Sequence, residues 1–288
     1  MAWHDIRDPG DPELDRLAAQ YQLHPLHIED CRHRNQNAKI EEGPGYLFVV
    51  LKPVLLNQDQ SLDVFDLDLF IGKDFVITVE EGDCPSAREI LNQVRGQEAR
   101  LRPDQAFYRV MDGIVDTYAP VLDGLNDEID RLEDEVLESP QPRTLQKVLS
   151  TKRCLITIRR VMANTRDVTA HLQRSGTELV DPQLWPFFRD VYDHIARNLD
   201  TIDMQRDLLT GSMDIYLSSV ANRTNQVMKV LTVLGTAALP ALVISGFYGM
   251  NLHHLPWADS PYALAVVAAL MVLTTSGLLY ALRKLHWF

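Results

Sequence analysis

The sequence predicts an α/β domain followed by long helices and a two-helix transmembrane hairpin. Its first hundred residues mix runs of β-branched and aromatic residues with helical periodicity, and residues 103–229 are helical in pattern. The chain then continues into two uncharged stretches of 21 residues each, Val230–Met250 and Tyr262–Leu282. Because about 20 apolar residues span the hydrocarbon layer of a bilayer, both stretches are long enough to cross it.

The charge distribution divides the chain in the same place. Of 288 residues, 28 are Lys or Arg and 40 are Asp or Glu, which gives a net charge of −12. Beyond residue 228 only Lys229, Asp259, Arg283 and Lys284 are charged. A net negative charge excludes a general nucleic-acid binder, which needs a basic surface. Three widely spaced cysteines without a CxxC pair indicate a reducing compartment rather than a disulfide scaffold.

The α/β domain is expected to contain three strands and two helices. The first helix, Pro12–Gln22, has Asp11 as its N-cap and a proline at its first position. Runs of β-branched and aromatic residues predict the strands, and a short turn at 72–74 joins the last two into a hairpin. The other predicted elements are the strands Tyr46–Leu51, Asp63–Ile71 and Phe75–Val79 and the helix Pro85–Arg95.

Three long helices are expected after the α/β domain. Residues 103–138 form one amphipathic run, which Gly113, Pro120 and Gly124 are expected to bend. A turn at 139–142 joins this run to a return helix at 143–174, and the two make an antiparallel hairpin. Because no proline lies between Pro186 and Pro240, residues 187–250 are expected to form a single helix of 64 residues that enters the membrane.

These elements set the predicted domain boundaries and the orientation in the membrane. The α/β domain occupies 1–102, the long-helix hairpin 103–185, the stalk helix with the first span 186–251, an external loop 252–261, and the second span with a basic end 262–288. Basic residues flank the spans at Lys229 and at Arg283 and Lys284, and none lies in the loop. The positive-inside rule therefore places both chain ends in the cytoplasm.

Apolar and small residues on the first span repeat every three or four positions. One interpretation is a packing stripe, in which small residues let the second span approach closely. The other is a pore-lining stripe repeated in a ring of identical subunits, because two spans cannot enclose a pathway alone. The sequence pattern leaves both interpretations open. The stripe consists of Asn225, Met228, Thr232, Gly235, Leu239, Leu242, Gly246 and Gly249.

The first span ends on the sequence Tyr248-Gly249-Met250-Asn251. Here the chain resembles the CorA family of divalent-cation transporters, which carry Gly-Met-Asn at this place. The resemblance includes the span pair, the basic C-terminal end and the segments 24–39, 126–138, 186–193 and 216–233, so it covers essentially the whole chain. It implies a homopentameric funnel in the cytoplasmic membrane that transports Mg²⁺, with Co²⁺ and Ni²⁺ as further cargo, and that is not an enzyme and needs no resident cofactor.

The resemblance also implies roles for residues of the first span. Gly249, Met250 and Asn251 would form the selectivity filter, since a carboxamide oxygen holds a hydrated Mg²⁺ less tightly than a carboxylate does. Met228 and Leu231 would form a hydrophobic constriction that blocks ions by dewetting. The implied pore-lining positions are Asn225, Met228, Leu231, Gly235, Leu239, Leu242 and Gly246, so that Leu231 replaces Thr232 of the stripe.

In this family, cytosolic Mg²⁺ bound between neighbouring subunits closes the channel, and the resemblance places one ligand at Asp190. The partner acid is expected in the segment 80–85, where Cys84 takes its position and Asp83 lies next to it. A divalent cation would bridge two facing carboxylates that otherwise repel each other. The alternative for Asp190 is a solvated charge on a helix face. The acidic run 126–138 is expected to be such a face, which concentrates cations.

The histidines leave the identity of the cargo open. His24, His27 and His33 match no standard zinc spacing, so we interpret them as structural. His253 and His254 lie in the external loop, and imidazole suits Zn²⁺, Co²⁺ or Ni²⁺ better than Mg²⁺. A Zn²⁺ transporter of the ZntB type, with or without proton coupling, is therefore the nearest alternative. A membrane-anchored sensor is the alternative of another class, and the sequence contains no nucleotide-binding GxxxxGK(S/T) motif.

Overall fold

A computed structural model describes residues 1–33, 36–138, 140–250, 256 and 261–284. Residues 1–214 form one compact unit and residues 215–288 form a second. In chain order the strands are β1 (Ala2–Ile6), β2 (Lys39–Gly43), β3 (Tyr46–Leu51), β4 (Val54–Leu56), β5 (Leu62–Val64), β6 (Asp66–Gly72) and β7 (Phe75–Glu81). The helices are α1 (Pro12–Tyr21), α2 (Pro25–Arg32), α3 (Pro85–Arg95), α4 (Pro103–Asp116), α5 (Tyr118–Glu138), α6 (Pro142–Ser175), α7 (Trp185–Tyr248) and α8 (Ala263–Lys284).

A five-stranded mixed sheet organises the first unit. Its strand order is β1-β7-β6-β3-β2, in which β1 runs parallel to β7 and the other neighbours are antiparallel. Side chains of β3 alternate between two cores: Phe48 packs with residues of α1 and α2, and Val49 packs with residues of α3 and α4. Because both faces of the sheet are covered, β3 is apolar along its whole length.

Several predicted elements of the α/β domain are confirmed. The Asp11 side chain accepts a hydrogen bond from the Glu13 backbone N–H at 2.8 Å, so it caps α1 as expected. The strand Tyr46–Leu51 and the helix Pro85–Arg95 have the predicted bounds. β6 and β7 pair as the predicted hairpin. The sequence pattern missed β1, β2, β4 and α2.

The single predicted strand Asp63–Ile71 is wrong. The chain changes sheets at Phe65: β5 pairs with β4 in a separate two-stranded sheet, and β6 pairs with β3 and β7. The Phe65 backbone N–H donates to the Pro53 carbonyl at 2.9 Å, at the point where the neighbouring segment also passes from β3 to β4. The crossing therefore depends on a distant partner segment, which period-two alternation does not reveal.

The predicted helical run over 103–138 is present as two helices, since α4 ends at Asp116 and α5 begins at Tyr118, and of the three expected bends only the one at Pro120 is found. Pro120 accounts for the break: it has no N–H to donate to the Asp116 carbonyl, and its ring clashes with that carbonyl in a continuous helix. Gly113 and Gly124 lie inside regular helix. The antiparallel hairpin of α5 and α6 is present, and Thr144 and Lys147 near the start of α6 bond to the carboxylate of Glu135 near the end of α5.

The long third helix is present as α7, with 64 residues and with Pro240 inside it. Both α7 and α8 contain segments that are long and apolar enough to cross a membrane. The part of α7 beyond residue 214 belongs to the second unit together with α8. That unit carries the predicted pore and filter positions.

Candidate functional site

The predicted pore stripe lies on an open face of α7. Met228, Leu231, Leu239 and Leu242 are each more than half exposed, and Leu242 is 69% exposed. A Cβ atom placed at two glycines of the stripe, 235 and 246, would meet no atom within 4 Å. These side chains are large and apolar, so they need either lipid or other protein around them.

A different face of α7 is covered. Pro240 is buried, and Thr236 and Ile244, one turn before and after it, are partly covered. At about 100° per residue, Pro240 lies roughly 120° around the helix from Met228 and Gly246. α8 has a partly covered stripe of its own at every fourth residue, Ala263, Val267, Met271, Thr275 and Leu279. The covered faces are those expected of the two helices of a hairpin, and the predicted pore stripe is not among them.

Leu231 and Thr232 differ in their surroundings. Leu231 is 63% exposed, whereas Thr232 is partly covered. The Thr232 hydroxyl donates to the Met228 carbonyl at 2.8 Å, so it is satisfied within its own helix. An open apolar face therefore contains Leu231 in preference to Thr232.

The end of α7 leaves no room for a side chain at Gly249. The Gly249 backbone N–H donates to the Ser245 carbonyl at 2.8 Å, and a Cβ atom would lie 2.9 Å from that same oxygen. Met250 donates to the Phe247 carbonyl at 3.3 Å, and the Tyr248 hydroxyl donates to the Pro256 carbonyl at 3.2 Å. Asn251, His253 and His254, to which the sequence analysis gives possible roles in ion binding, lie outside the described residues.

Asp190 stands in an acidic group that the sequence pattern did not show. It lies on α7 with its carboxylate 3.7 Å from the His194 Nε2. Asp112 of α4 accepts a hydrogen bond from the Tyr108 hydroxyl at 3.1 Å. Burial raises the pKa of Asp112, and the charges of Asp116 and Asp190 raise it further. Such mutual repulsion is what a divalent cation relieves.

The same three carboxylates also affect the pKa of Tyr108. Its pKa is raised to about 12, first by burial and then by the charges of Asp112, Asp190 and Asp116. α4 and α7 are distant in sequence, so only the folded unit brings these carboxylates near each other. Asp112 and Asp116 sit in an otherwise apolar-periodic helix, where neither has a local motif that marks it.

Asp83 has a partner of its own. Its exposed carboxylate lies 3.1 Å from the Arg88 guanidinium, which also contacts the buried Glu80 at 3.3 Å. Cys84 is buried at the N-terminus of α3, with its sulfur 3.4 Å from the Ser86 hydroxyl. A buried thiol in this position cannot serve as an exposed metal ligand, and of the three acids of the segment 80–85 Asp83 is the one whose side chain is exposed, whereas Glu80 is buried and Glu81 is partly covered.

The histidines of the segment 24–33 hold the fold together. His27 is buried, with its Nδ1 at 2.9 Å from the Tyr46 hydroxyl and its Nε2 at 3.0 Å from Glu41. His24 caps α2 through its Nδ1, and His33 contacts the Glu29 carbonyl at 2.9 Å. Within the residues that the structure describes, no three His, Cys, Asp or Glu side chains are grouped to hold a metal ion.

Comparisons with known proteins extend over the whole chain. The model of the family described as CorA-like Mg²⁺ transporter protein matches residues 1–284. The chain is 35% identical over 278 residues to the cobalt/magnesium transport protein CorA of Thermotoga maritima, an alignment that covers 95% of this chain and 79% of that protein. It is 22% identical over 246 residues to the zinc transport protein ZntB of Yersinia enterocolitica, an alignment that covers 85% of this chain and 75% of that protein.

The fold has a solved counterpart. The complete structure of the CorA magnesium transporter from Methanocaldococcus jannaschii superposes with a TM-score of 0.84 at 26% sequence identity, and the match covers 99% of this chain and 91% of that one. The predicted fold class is thereby confirmed for the α/β domain, the long helices and the two C-terminal apolar helices.

Proposed function

Because the chain belongs to the CorA family of divalent-cation transporters, we propose that it is a channel-like transporter of Mg²⁺ that also admits Co²⁺ and Ni²⁺. The family consists of ion transporters, not enzymes. The observation that carries the proposal is the match of residues 1–284 to a Mg²⁺ transporter family on a chain whose first span ends in Gly-Met-Asn. Transport down the electrochemical gradient requires no nucleotide.

The conduction pathway is proposed to run along the open stripe of α7. Two spans cannot enclose a pathway, so several copies must surround it, and the family resemblance suggests five. Asn225, Met228, Leu231, Gly235, Leu239, Leu242 and Gly246 would line the pore. The exposure of the large side chains in this set argues against the alternative of a packing stripe, because a stripe packed against α8 would be covered.

Gly249, Met250 and Asn251 are proposed as the filter. The absence of a side chain at 249 lets the backbone approach the pathway, and a Cβ atom there would collide with the Ser245 carbonyl. Carbonyl and carboxamide oxygens can bind the water shell of Mg²⁺ more weakly than a carboxylate does, so the ion can leave again. No Asp or Glu occurs among the proposed pore positions, so selection would depend on oxygen dipoles and hydration.

Cytosolic Mg²⁺ is proposed to close the pore by binding at Asp190. The charges of Asp112 and Asp116 on α4 and of Asp190 on α7 act together around Tyr108, and their summed negative field would attract a divalent cation toward Asp190. Asp83 would contribute from a neighbouring subunit, in exchange for its contact with Arg88. Loss of the cation would leave the carboxylates repelling one another, and α7 would move so that the constriction at Met228 and Leu231 widens.

The protein is a membrane protein, and we propose that it lies in the cytoplasmic membrane with both chain ends in the cytoplasm. The basic residues at the membrane ends of α7 and α8, Lys229, Arg283 and Lys284, support this orientation. The acidic first unit would then face the cytosol, where it attracts divalent cations.

A Zn²⁺ transporter of the ZntB type, with or without proton coupling, is the second candidate. The match to the zinc transport protein of Yersinia enterocolitica favours it, as do the two histidines of the loop. The sequence identity to that protein is lower than the identity to the cobalt/magnesium transporter of Thermotoga maritima. We therefore propose Mg²⁺ before Zn²⁺ as the transported ion.

Ion flux into reconstituted vesicles tests which cation the protein transports. The purified full chain is reconstituted with an ion-sensitive dye inside, and Mg²⁺, Co²⁺, Ni²⁺ and Zn²⁺ are added in turn. We expect Mg²⁺ influx at the highest rate, and Zn²⁺ influx with negligible Mg²⁺ influx would establish the alternative cargo. Absence of flux for every ion would leave the membrane-anchored sensor.

Asn251→Ala is expected to abolish flux, because it removes the carboxamide oxygens proposed to hold the hydrated ion. The variant should retain the elution volume and melting temperature of the parent, and Asn222→Ala, an exposed amide elsewhere on α7, is the matched control. Unchanged transport in Asn251→Ala would refute the filter assignment.

A further inference from the structure

The helices α5 and α6 and the first part of α7 form a bundle in which each helix contacts the other two. Lys147 of α6 lies 2.8 Å from Glu135 of α5. Arg159 of α6 donates to both carboxylate oxygens of Asp203 on α7, at 2.9 and 3.2 Å. The buried amide of Gln205 on α7 donates to a backbone carbonyl of α5 at 3.2 Å. These contacts leave one face of α5 and one face of α6 pointing away from the bundle.

The outward face of α5 is acidic. Exposed carboxylates recur at spacings of four and three residues, which is the repeat of a single helix face. Leu125, Ile129 and Leu132 are buried on the opposite side of the same helix. None of the outward acids forms an ion pair among the residues that the structure describes. They are Asp123, Asp127, Asp130, Asp134 and Glu138.

The outward face of α6 is basic and apolar, with the same four-and-three repeat. It consists of Leu149, Arg153, Ile156 and Arg160. Leu149 is 37% exposed and Ile156 is 53% exposed, although both sit in the middle of a long helix. Within the described part of the chain, Arg153 donates only to the Leu149 carbonyl of its own helix, and Arg160 forms no ion pair. Arg159 is one residue away but donates to Asp203 of α7. The arginine that holds the bundle together and the two outward arginines, Arg153 and Arg160, therefore lie on different faces of α6.

We propose that the outward face of α6 in one subunit packs against the outward face of α5 in the next subunit. The inference rests on the proposed function, since only an assembly of copies gives each face a partner. The charges are complementary, the repeats are identical, and the contact would cover Leu149 and Ile156. A contact between two different faces of the same chain is heterologous, and such a contact gives a ring when the rotation between successive subunits closes, as it must in an assembly around one pore.

The geometry of the bundle suits this contact. α5 and α6 are antiparallel within a subunit, so rotation about an axis along the bundle keeps them antiparallel across the contact. The basic face spans about 16 Å and the acidic face about 22 Å at 1.5 Å per residue, so the shorter face lies within the longer one. Opposite charges at this spacing select partner and register in paired helices.

The contact would also be adjustable. Exposed ion pairs each contribute little and are screened by salt. A ring joined mainly by such pairs can loosen and re-form without the unfolding of any helix. That property suits subunits that must shift relative to one another when the proposed gate opens.

Zero-length cross-linking of the full chain tests the contact. Arg153→Lys/Arg160→Lys keeps both charges and supplies amines, which a carbodiimide couples directly to carboxylates. We expect bands of two or more chains on a denaturing gel, with linked peptides that join 118–138 of one chain to 143–175 of another. Ser150→Lys places an exposed amine roughly 60° around α6 from Arg153 and roughly 80° from Arg160, at the edge of the basic face, and is the matched control, which should not raise the yield above that of the parent.

Salt and charge reversal supply the second test. High salt should suppress the cross-linked bands, and Asp127→Lys/Asp130→Lys should abolish those involving α6, with Asp200→Lys/Asp207→Lys on α7 as the control. Multi-chain bands without α5–α6 peptides, or equal yields from Ser150→Lys, would overturn the contact. So would a particle mass of one chain by light scattering. Bands with α5–α6 peptides from a protein that transports no ion would uphold the contact and remove the transport proposal.

Discussion

Asp68 makes the stability of the α/β domain depend on pH. It lies on β6 with 2% of its surface exposed, beside the buried ion pair of Lys52 and Asp66. Burial raises the pKa of this carboxyl to about 7, although the thiol of Cys31 donates a hydrogen bond to it. The folded chain therefore binds a proton at Asp68 that the unfolded chain, with a pKa of about 3.9, releases much earlier on the pH scale.

The sign follows from proton binding. Between about pH 4 and about pH 7 the native state holds more protons at this site, so its stabilising contribution is lost as pH rises. Asp68→Asn removes the titration, and at about pH 8 we expect it to be more stable than the parent by about 1–3 kcal/mol. The difference should shrink at about pH 5. Thermal unfolding of the detergent-solubilised chain measures it.

Asp66→Asn is the control for that experiment. It leaves Lys52 buried without its partner, so it should destabilise the protein at both pH values. A gap between Asp68→Asn and the parent that does not change with pH would contradict the titration of Asp68.

Asp190 is the residue at which the proposed gating can be tested. Asp190→Lys places a fixed positive charge where the cation is proposed to bind, and should weaken closure by cytosolic Mg²⁺. We expect the half-inhibitory concentration in vesicle flux to rise about tenfold, which corresponds to about 1.4 kcal/mol of lost binding. Asp200→Lys makes the same charge change at another exposed site on α7. An unaltered dose–response would remove Asp190 from the gate.

Single residues differ in how far the sequence predicts them. Gly249 and Asn251 could be proposed because a contiguous motif contains them. Asp112 could not, since its relation to Asp190 exists only after α4 folds beside α7. The hydrogen bonds of His27 to Tyr46 and Glu41 were equally invisible, although the absence of a zinc spacing already indicated a structural histidine.

Secondary-structure elements were predictable where local chemistry decides them. Asp11 and the following proline fix the start of α1, and the uninterrupted apolar run fixes β3. Boundaries that depend on distant partners were not predictable, as the change of sheets at Phe65 shows. The break before α5 was visible as a proline, but its effect falls four residues upstream, on the Asp116 carbonyl, rather than at Pro120 itself.

Two helix glycines make a matched pair at this scale. A Cβ atom at Gly211 of α7 would meet nothing within 4 Å, so Gly211→Ala should stabilise the protein by about 1 kcal/mol through helix propensity. A Cβ atom at Gly113 of α4 would lie 2.8 Å from the Ile90 side chain, so Gly113→Ala should destabilise it by about 1–3 kcal/mol. Denaturant unfolding of both variants measures the difference, and equal effects would contradict the packing of α3 against α4.

The whole molecule combines two kinds of chain. The membrane segments carry almost no charge, and the first unit carries nearly all of the acidic residues. Length and charge alone predict that division, because neither depends on tertiary contacts. The sequence pattern did not indicate which face of α7 is open, since small and apolar residues serve packing and pore lining equally well. Burial of Pro240 and exposure of Leu242 separate the two faces in the folded chain.

At this scale the driving force for transport distinguishes the two candidate cargoes. A divalent cation that enters a negative interior gains about 4.6 kcal/mol per 100 mV, twice the value for a single charge. We expect Mg²⁺ influx into vesicles to accelerate when a potassium gradient makes the interior negative, and to slow when equal potassium removes the potential. A pH gradient without a potential should change nothing, and Asn251→Ala vesicles under the same gradients measure leakage. Zn²⁺ influx that follows the pH gradient and ignores the potential would instead identify a proton-coupled zinc transporter, because only a coupled proton converts a pH difference into metal movement.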